Sequence, residues 1–453
     1  MLNRMNNTDK KTETETPDPD WDGDSEASSP EASETAELLK SMREEKEKRE
    51  KEEKKPSPGK AKEECAEFEP GKDYGVRRTT SGEWYVRRVN RKRGVIWSKC
   101  TTREDVKHYL QKKHNIYDFG LRGDMTEADS VIEDVLDNFI VETAGEFAGY
   151  LTSGEYEVQN DTVLVVRGAP LIQPVKGDCE FYLECIKRTY SRSHTDEKGN
   201  VYRQSDAYLG WAQGAVVTLY NDKPGMWRHG QALIAIGDPG VGKTAFQHVN
   251  AEMLGGRKTN PELFFRDRTS FNAQMGEKEN WIISDPKAKN KAEQEKFLGD
   301  LKTFVANVWM AIHPKGGKLI DLPTYRRMTV SLNRDNLALR ILQNMAASDL
   351  DKVIILDFED AGKYAPDGKD PGGEEGLRWN EWAQKMISQL PAFLWYLLNE
   401  YEVPAHMYDK RYNVAYHNPE IEPQLAVPSQ NEADLELMEI VERGLFSYLN
   451  TAS

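Results

Sequence analysis

Apolar positions change rhythm several times along this chain, and each change marks a predicted element. Residues 1–65 hold Glu, Lys, Ser, Thr and Pro with almost no core formers. Such a stretch buries too little apolar surface to offset its ordering entropy, which predicts a disordered acidic tail. Residues 37–55 carry Glu/Lys pairs and predict at most a solvated helix there. Short alternating runs follow. Residues 74–78, 83–89 and 95–100 read as strands, with turns at Ser81-Gly82 and Arg93-Gly94. Residues 103–113 read as an amphipathic helix with Val106, Tyr109 and Leu110 on one face. The first folded unit is therefore a small β3α domain at 66–120.

Residues 128–151 read as a helix, 155–158 and 162–166 as a hairpin across Asn160-Asp161, and 178–190 and 205–219 as helices. That gives a helical accessory region at 121–230. The apolar run Ala232–Ile236 is short and unbroken, as a buried parallel strand is. A glycine-rich loop follows, and then no breaker until Gly255-Gly256, so a helix starts near Gly242. Residues 281–285 form an apolar strand ending in an acid. Residues 311–323 read as a hairpin turning at Gly316-Gly317, and 325–333 as a strand ending on an amide. The fold class is thus α/β, with a core at 231–360. Residues 361–376 are a Gly/Pro/Asp-rich linker. Residues 379–400 form a helix pair or one helix kinked at Pro391, and 432–449 a final amphipathic helix, giving a helical C-terminal domain at 377–453.

Composition narrows the classes. At 453 residues the chain is long enough for two or three domains. A hydrophobic fraction of 38% with mean hydropathy −0.74 is low for one compact globule and agrees with a disordered tail. No run of about 18 apolar residues predicts a transmembrane helix, and the first residues lack the apolar segment of a signal peptide. Cys65, Cys100, Cys179 and Cys185 form no CxxC pair, and reduced cytosolic thiols are the expectation. The net charge of −15 means that any contact with nucleic acid relies on local basic patches.

One patch stands out. Residues 72–113 carry Arg77, Arg78, Arg87, Arg88, Arg91, Lys92 and Arg93, then Lys99, Arg103, Lys107, Lys112 and Lys113. Trp84, Tyr85 and Trp97 sit among them. Contact with DNA is one reading and a solvated basic face is the other.

The glycine-rich loop carries the clearest chemistry. Gly237, Asp238, Pro239, Gly240, Val241, Gly242, Lys243 and Thr244 form an unbroken P-loop pattern between strand and helix. Glycines let backbone N–H groups wrap a phosphate, and the helix N-terminus faces the same anion. Lys243 reaches the β- and γ-phosphates, and the Thr244 hydroxyl ligates Mg²⁺. ATP and Mg²⁺ are therefore the expected cofactors. Asp285 stands where a Walker B carboxylate holds Mg²⁺ through water. Pro286 replaces the usual second acid, which puts the hydrolysis rate in question. Asn333 is a candidate sensor of the γ-phosphate, or else a turn-forming amide at a strand end.

Two resemblances add to this. A basic three-stranded sheet with a helix, in the order GVR, GEWYVR, V-W, resembles the small DNA-binding domain of ethylene-response-type transcription factors and the arm-binding domains of some integrases. Residues 210–360 resemble the superfamily 3 helicase ATPase of bacterial and phage primase-helicase proteins. The residues behind this are GWAQGAVVTLY, RHGQALIAIGDPGVGKT, LGGR, TSFNAQMG, ISD, HPKG, RRMTVSLN and SDLDKVIIL. The second resemblance implies a P-loop core of AAA+-like type acting as an ATP-dependent DNA helicase or translocase. It implies replication of a phage, plasmid or integrated element in a bacterial cytoplasm. Lys243, Asp285 and Asn333 would be catalytic. Lys315 and Lys318 would follow single-stranded DNA inside a homo-oligomeric ring, usually a hexamer. Arg340 would be the arginine finger offered to a neighbour, with Arg334, Arg326 and Arg327 as rivals. Primase or other replication partners are implied, and no membrane. A low-turnover nucleotide switch, loader or regulator tethered to DNA is the alternative reading.

Overall fold

The computed structural model describes residues 67–91, 94–118, 125–221, 227–228, 230–265, 272–286, 291–313, 319–335, 339–342, 345–359 and 375–426. Outside them lie the tail at 1–65, almost all of the 361–376 linker and the 432–449 helix. The hairpin tip with Lys315, Lys318, Gly316 and Gly317 also lies outside, as do Lys92 and Arg93.

The first sheet is built from β1 (Val76–Thr79), β2 (Trp84–Asn90) and β3 (Gly94–Cys100). Helix α1 (Arg103–His114) begins at Thr102, whose side chain accepts from Asp105 N–H while the Asp105 carboxylate accepts from Thr102 N–H. This reciprocal cap fixes the start, and left-handed Asn115 ends it. Val106 and Leu110 bury onto Val76, Val86 and Cys100, together with Val131, Ile132 and Val135 of α2 (Glu127–Asn138).

Helix α2 ends at Asn138, well short of the expected 151. The β-branched pair Ile140-Val141 instead forms β4, which lies parallel to β1 and completes a four-stranded sheet ordered β3-β2-β1-β4. β5 (Thr143–Gly145), β6 (Gly154–Val158) and β7 (Asp161–Val165) make a second small sheet. Gly149, at φ 88°, then passes so close to Trp227 and Tyr325 that a Cβ would meet them at 2.6 and 2.5 Å. No helix can continue through that site. The region expected to be a helical accessory domain is accordingly mixed.

The second sheet covers the face of the first that lacks helices. Tyr85 and Trp97 are buried with Val141 and Leu164, and Trp97 N–H donates to Val166 O at 2.8 Å. Arg77 is buried too. Its guanidinium pairs with Asp73 at 2.8 Å and with Glu155 of β6 at 2.5 Å, and stacks over Trp97. Arg77, Tyr85 and Trp97 are thus corrected from DNA contacts to internal packing: β6 and β7, remote in sequence, close over them. Arg77→Ala is expected to destabilise the chain by about 1 kcal/mol, mainly through the lost packing of its buried side chain over Trp97, because Asp73 and Glu155 stay more than a third exposed and water can take the cation's place. A denaturant midpoint equal to wild type would place Arg77 back on the surface.

Next come α3 (Glu180–Thr189), a short ribbon of β8 (Ser193–Thr195) and β9 (Val201–Arg203), and α4 (Gln204–Tyr220). They lead into a five-stranded parallel sheet ordered β11-β12-β15-β10-β16. Its strands are β10 (Ala232–Ile236), β11 (Lys258–Thr259), β12 (Asn280–Ser284), β15 (Arg327–Leu332) and β16 (Val353–Asp357). β10, β15 and β16 are buried along their whole length, as parallel strands covered on both faces must be. Helix α5 (Lys243–Met253) packs on β12 and β15, and α4 packs on β16. The antiparallel pair β13 (Trp309–Ile312) and β14 (Ile320–Pro323) precedes β15.

Helix α6 (Lys291–Ala306) runs into that pair, and its end explains two arginines. Arg326 donates to Phe304, Asn307, Val308 and Thr324 carbonyls, so it caps the negative end of α6. Burial, and then the neighbouring Arg327, push its pKa down to about 10. Arg327 is equally buried and donates to the Arg326 and Arg228 carbonyls. Neither side chain can be offered to a neighbour as an arginine finger.

Helices α7 (Glu375–Ser388) and α8 (Leu390–Asn399) pack on α5 and α4. Pro391 sits in the first turn of α8, where its missing N–H is harmless. A two-stranded ribbon of β17 (Tyr408–Asp409) and β18 (Asn413–Val414) follows and leans on α4. The described part of the C-terminal region is thus neither purely helical nor separate from the main core.

Candidate functional site

All five strands of the main sheet run parallel, so their carboxyl ends share one edge. Ligands of open α/β sheets bind at that edge. β10 ends there in the loop 237–242. Gly237 packs against β16: a Cβ on it would meet the Phe358 carbonyl at 2.3 Å. Gly240 and Gly242 take φ 81° and 95°, which turns the chain into α5. Gly242 caps α5 without any side-chain acceptor. The first N–H groups of the helix therefore face the loop with no side-chain oxygen satisfying them.

Lys243, the first residue of α5, is buried. Its Nζ donates to Gly237 O at 2.8 Å, Asp238 O at 2.7 Å and Asn333 Oδ1 at 3.0 Å. Burial lowers its pKa, while Asp285 and Asp238 pull the other way. The ammonium thus rests on neutral oxygens, positions that an incoming anion would outbid electrostatically. Asn333 follows β15, the strand between β10 and β12, so its amide meets the lysine across one strand spacing.

Asp285 follows β12. It adopts φ 47°, and its N–H still donates to Ser331 O at 2.9 Å. The left-handed turn, tolerable for Asp, is thereby anchored to β15. Gln247 of α5 is buried and donates to Ile283 O and Thr329 O, and its own oxygen accepts from Ser284 Oγ. The helix that carries Lys243 and Thr244 is thus tied to both strands that carry the other site residues.

These pieces enclose one cleft of about 320 Å³, lined by Pro239, Gly240, Gly242, Lys243, Thr244, Ala245, Asp285 and Asn333. The donors in it of the kind that hold a metal are the Thr244 hydroxyl and the Asp285 carboxylate, both exposed. An all-oxygen pair suits Mg²⁺. Among the described residues no group of three or more His, Cys, Asp or Glu could hold a metal, so a divalent ion would need phosphate oxygens to complete its shell. Asp285 is the only carboxylate among the described lining residues.

The remaining predicted residues separate. Arg340 lies in a single 3₁₀ turn, Arg340–Leu342, and its side chain is outside the described residues. Arg334 is half-exposed beside the cleft. Its Nη1 lies 2.8 Å from Asp357 Oδ1, a close charge contact without a well-aligned hydrogen bond. Arg78 stacks over Trp84, and Arg87, Arg88 and Arg91 are exposed on the first sheet, remote in sequence from the cleft.

Sequence reasoning missed Asp357. It is fully buried at the end of β16, and its Oδ2 accepts from Gln204 and Asn418. Arg192 approaches it at 3.4 Å and also pairs with Glu359 and Glu420. An apolar strand ending in an acid, VIILD, was the available signal, the same one that marked Asp285.

The chain superposes on the apo NrS-1 C terminal region with a TM-score of 0.52 at 12% identity, over 82% of this chain and 79% of that one. The fold is similar to that of the NrS-1 C terminal region. An A form of that region gives a TM-score of 0.50 at 12% identity, over 78% and 71%. Identity this low speaks for the fold alone. JCV helicase with a bound inhibitor gives 0.28 at 12% identity, over 51% and 58%, too loose a superposition to argue from. No protein-family profile matches the sequence, and no curated protein matches it.

Proposed function

We propose that the chain is an ATP-driven DNA helicase or translocase of superfamily 3 type, serving replication of a phage, plasmid or integrated element in a bacterial cytoplasm. One observation carries the reading: Lys243, Asn333 and Asp285 follow adjacent strands β10, β15 and β12 and line a single cleft with an uncapped helix N-terminus. That row suits a nucleoside triphosphate. Its phosphates take the α5 N–H groups and draw Lys243 away from the Gly237 and Asp238 carbonyls. Thr244 and Asp285 would hold Mg²⁺, which when bound neutralises phosphate charge. Asn333, released from Lys243, turns its amide toward the γ-phosphate or the attacking water.

The core works as a homo-oligomeric ring, a hexamer in this reading, with Arg340 reaching a neighbour's nucleotide. Single-stranded DNA passes the β13–β14 tip, and the basic module at 66–120 tethers the assembly to duplex. Primase-type partners fit the same role. Asn333→Ala is expected to leave nucleotide affinity near wild type and to lower turnover on the order of a hundredfold, as loss of one oriented polar group does. Equal losses in both would make Asn333 a structural cap.

A second reading has its own support. Asp285 stands alone where two acids would activate water quickly. A slow nucleotide switch, loader or regulator would need only the first. Steady-state ATPase with and without single-stranded DNA, together with native mass in ATP and Mg²⁺, separates the two. Stimulated turnover by a ring supports the motor. Tight nucleotide binding without turnover supports the switch.

A further inference from the structure

The basic residues of the first module divide sharply by their partners. Arg77, Lys99, Arg103 and Lys107 are all ion-paired, with Asp73 and Glu155, Glu83, Asp129 and Glu133, and Asp118 and Asp129. Several of those acids come from β6 and α2, outside the basic stretch. Arg87, Arg88 and Arg91 are different. All are exposed, and none has an ion-pair partner among the described residues.

Strand geometry explains where they stand. β2 and β3 pair over their full length, from Trp84 with Cys100 to Asn90 with Gly94. β1 pairs with β2 only from Trp84 to Val86. One further bond follows, from Arg87 N–H to Gly75 O at 2.8 Å, and beyond Arg87 the sheet narrows to a two-stranded ribbon. Its burial falls away in step: residues 87–91 are exposed, and the cross-strand pair Val89 and Val95 is 74% and 44% accessible. The other candidate surface, the helix-free face at Tyr85 and Trp97, is closed by Leu164.

We propose that the exposed stretch of the β2–β3 ribbon, residues 87–91 with Val95 opposite, is the duplex-binding surface of this protein, and the open sheet face is not. The partner is B-form DNA. A two-stranded β-ribbon fits the major groove. Arg87, Arg88 and Arg91 engage phosphates on its walls, and the Val89–Val95 pair supplies the apolar contact that a thymine methyl accepts. Charge complementarity commits the surface to a polyanion: three exposed arginines with no ion-pair partner among the described residues gather along the ribbon on a chain of net charge −15. The proposal rests on residues 66–120 acting as a DNA tether.

The experiment uses the full chain and a fluorescent 20-base-pair duplex of random sequence, with affinity measured across salt concentrations. Arg87→Ala/Arg88→Ala/Arg91→Ala is compared with Lys112→Ala/Lys113→Ala, which removes the exposed lysines ending α1. Thermal melts check that both variants keep the fold. The ribbon variant is expected to lose about one unit of salt slope per arginine and roughly tenfold or more in affinity at low salt. The lysine variant is expected to keep the wild-type slope. A wild-type slope in the ribbon variant, with loss in the lysine variant, overturns the ribbon and leaves the tether standing. A wild-type chain whose duplex binding ignores salt overturns both.

Discussion

Lys243→Ala is expected to remove ATP hydrolysis, by at least about 10²–10³-fold in turnover, while the protein still folds. The lysine is buried and holds three oxygens within 3.0 Å, two from the loop and one from Asn333. Alanine leaves the Gly237 and Asp238 carbonyls without that donor. Both belong to a loop at the cleft, where water can replace the ammonium, so the stability loss stays modest. The proposed phosphate site loses the only lysine among its described lining residues, and Asn333 loses the bond its Oδ1 accepts from Lys243. The check is phosphate release by protein purified free of contaminating ATPase, beside a melting curve. Wild-type turnover in that sample would refute the site. A chain that no longer melts cooperatively would make Lys243 a structural residue instead.

This site was legible in the sequence because its determinants are local. Two glycines at positive φ, a lysine opening a helix and an apolar run before them sit within a dozen positions, and the backbone requirement of each is printed in residue type. Asp285 and Asn333 were legible for a related reason: each terminates an apolar run, and in a parallel sheet strand ends meet at one edge. Their adjacency was not legible. It follows from the strand order β12-β15-β10, which no local pattern encodes.

Where reading failed, the deciding partner lay far away. Arg77 looked like the basic residues around it, but Glu155, 78 positions on, pulls it inside. Tyr85 and Trp97 sit among the basic residues in sequence, but Leu164 of β7 covers them in the fold. Arg326 looked like a finger because its role, capping α6, depends on a helix end brought to it by the fold. The end of α2 failed through competition. Residues 139–151 suit a helix moderately, yet the open edge of β1 recruits Ile140 and Val141 into a strand. Arg87, Arg88 and Arg91, by contrast, remain on the surface, where a contact with DNA stays open to them.

The last large effect concerns the hairpin. Lys315→Ala/Lys318→Ala is expected to keep ATP hydrolysis without DNA, and to keep assembly, but to lose stimulation by single-stranded DNA and lose strand separation. The two lysines lie outside the described residues, so the case rests on what holds the strands beneath them. β13 and β14 pair from Trp309 with Pro323 to Ile312 with Ile320. Met310, Ile312, Ile320 and Leu322 are buried in the main core. Asn272 grips the outgoing strand just before the tip, donating to Ala311 O at 2.7 Å and accepting from His313 N–H at 2.6 Å. The return strand leads through Arg326, fixed on the end of α6, into fully buried β15, which Asn333 directly follows. A six-residue strand spans roughly 20 Å, and one this buried moves as a rigid piece. Nucleotide state sensed at Asn333 can therefore bias the hairpin's position, provided the two states differ in what the phosphate holds. Lysines kept only for solubility at a hairpin tip predict the opposite result. If the double variant is stimulated by single-stranded DNA as strongly as wild type, the hairpin is not the DNA contact, and the motor reading shrinks to an ATPase without a track.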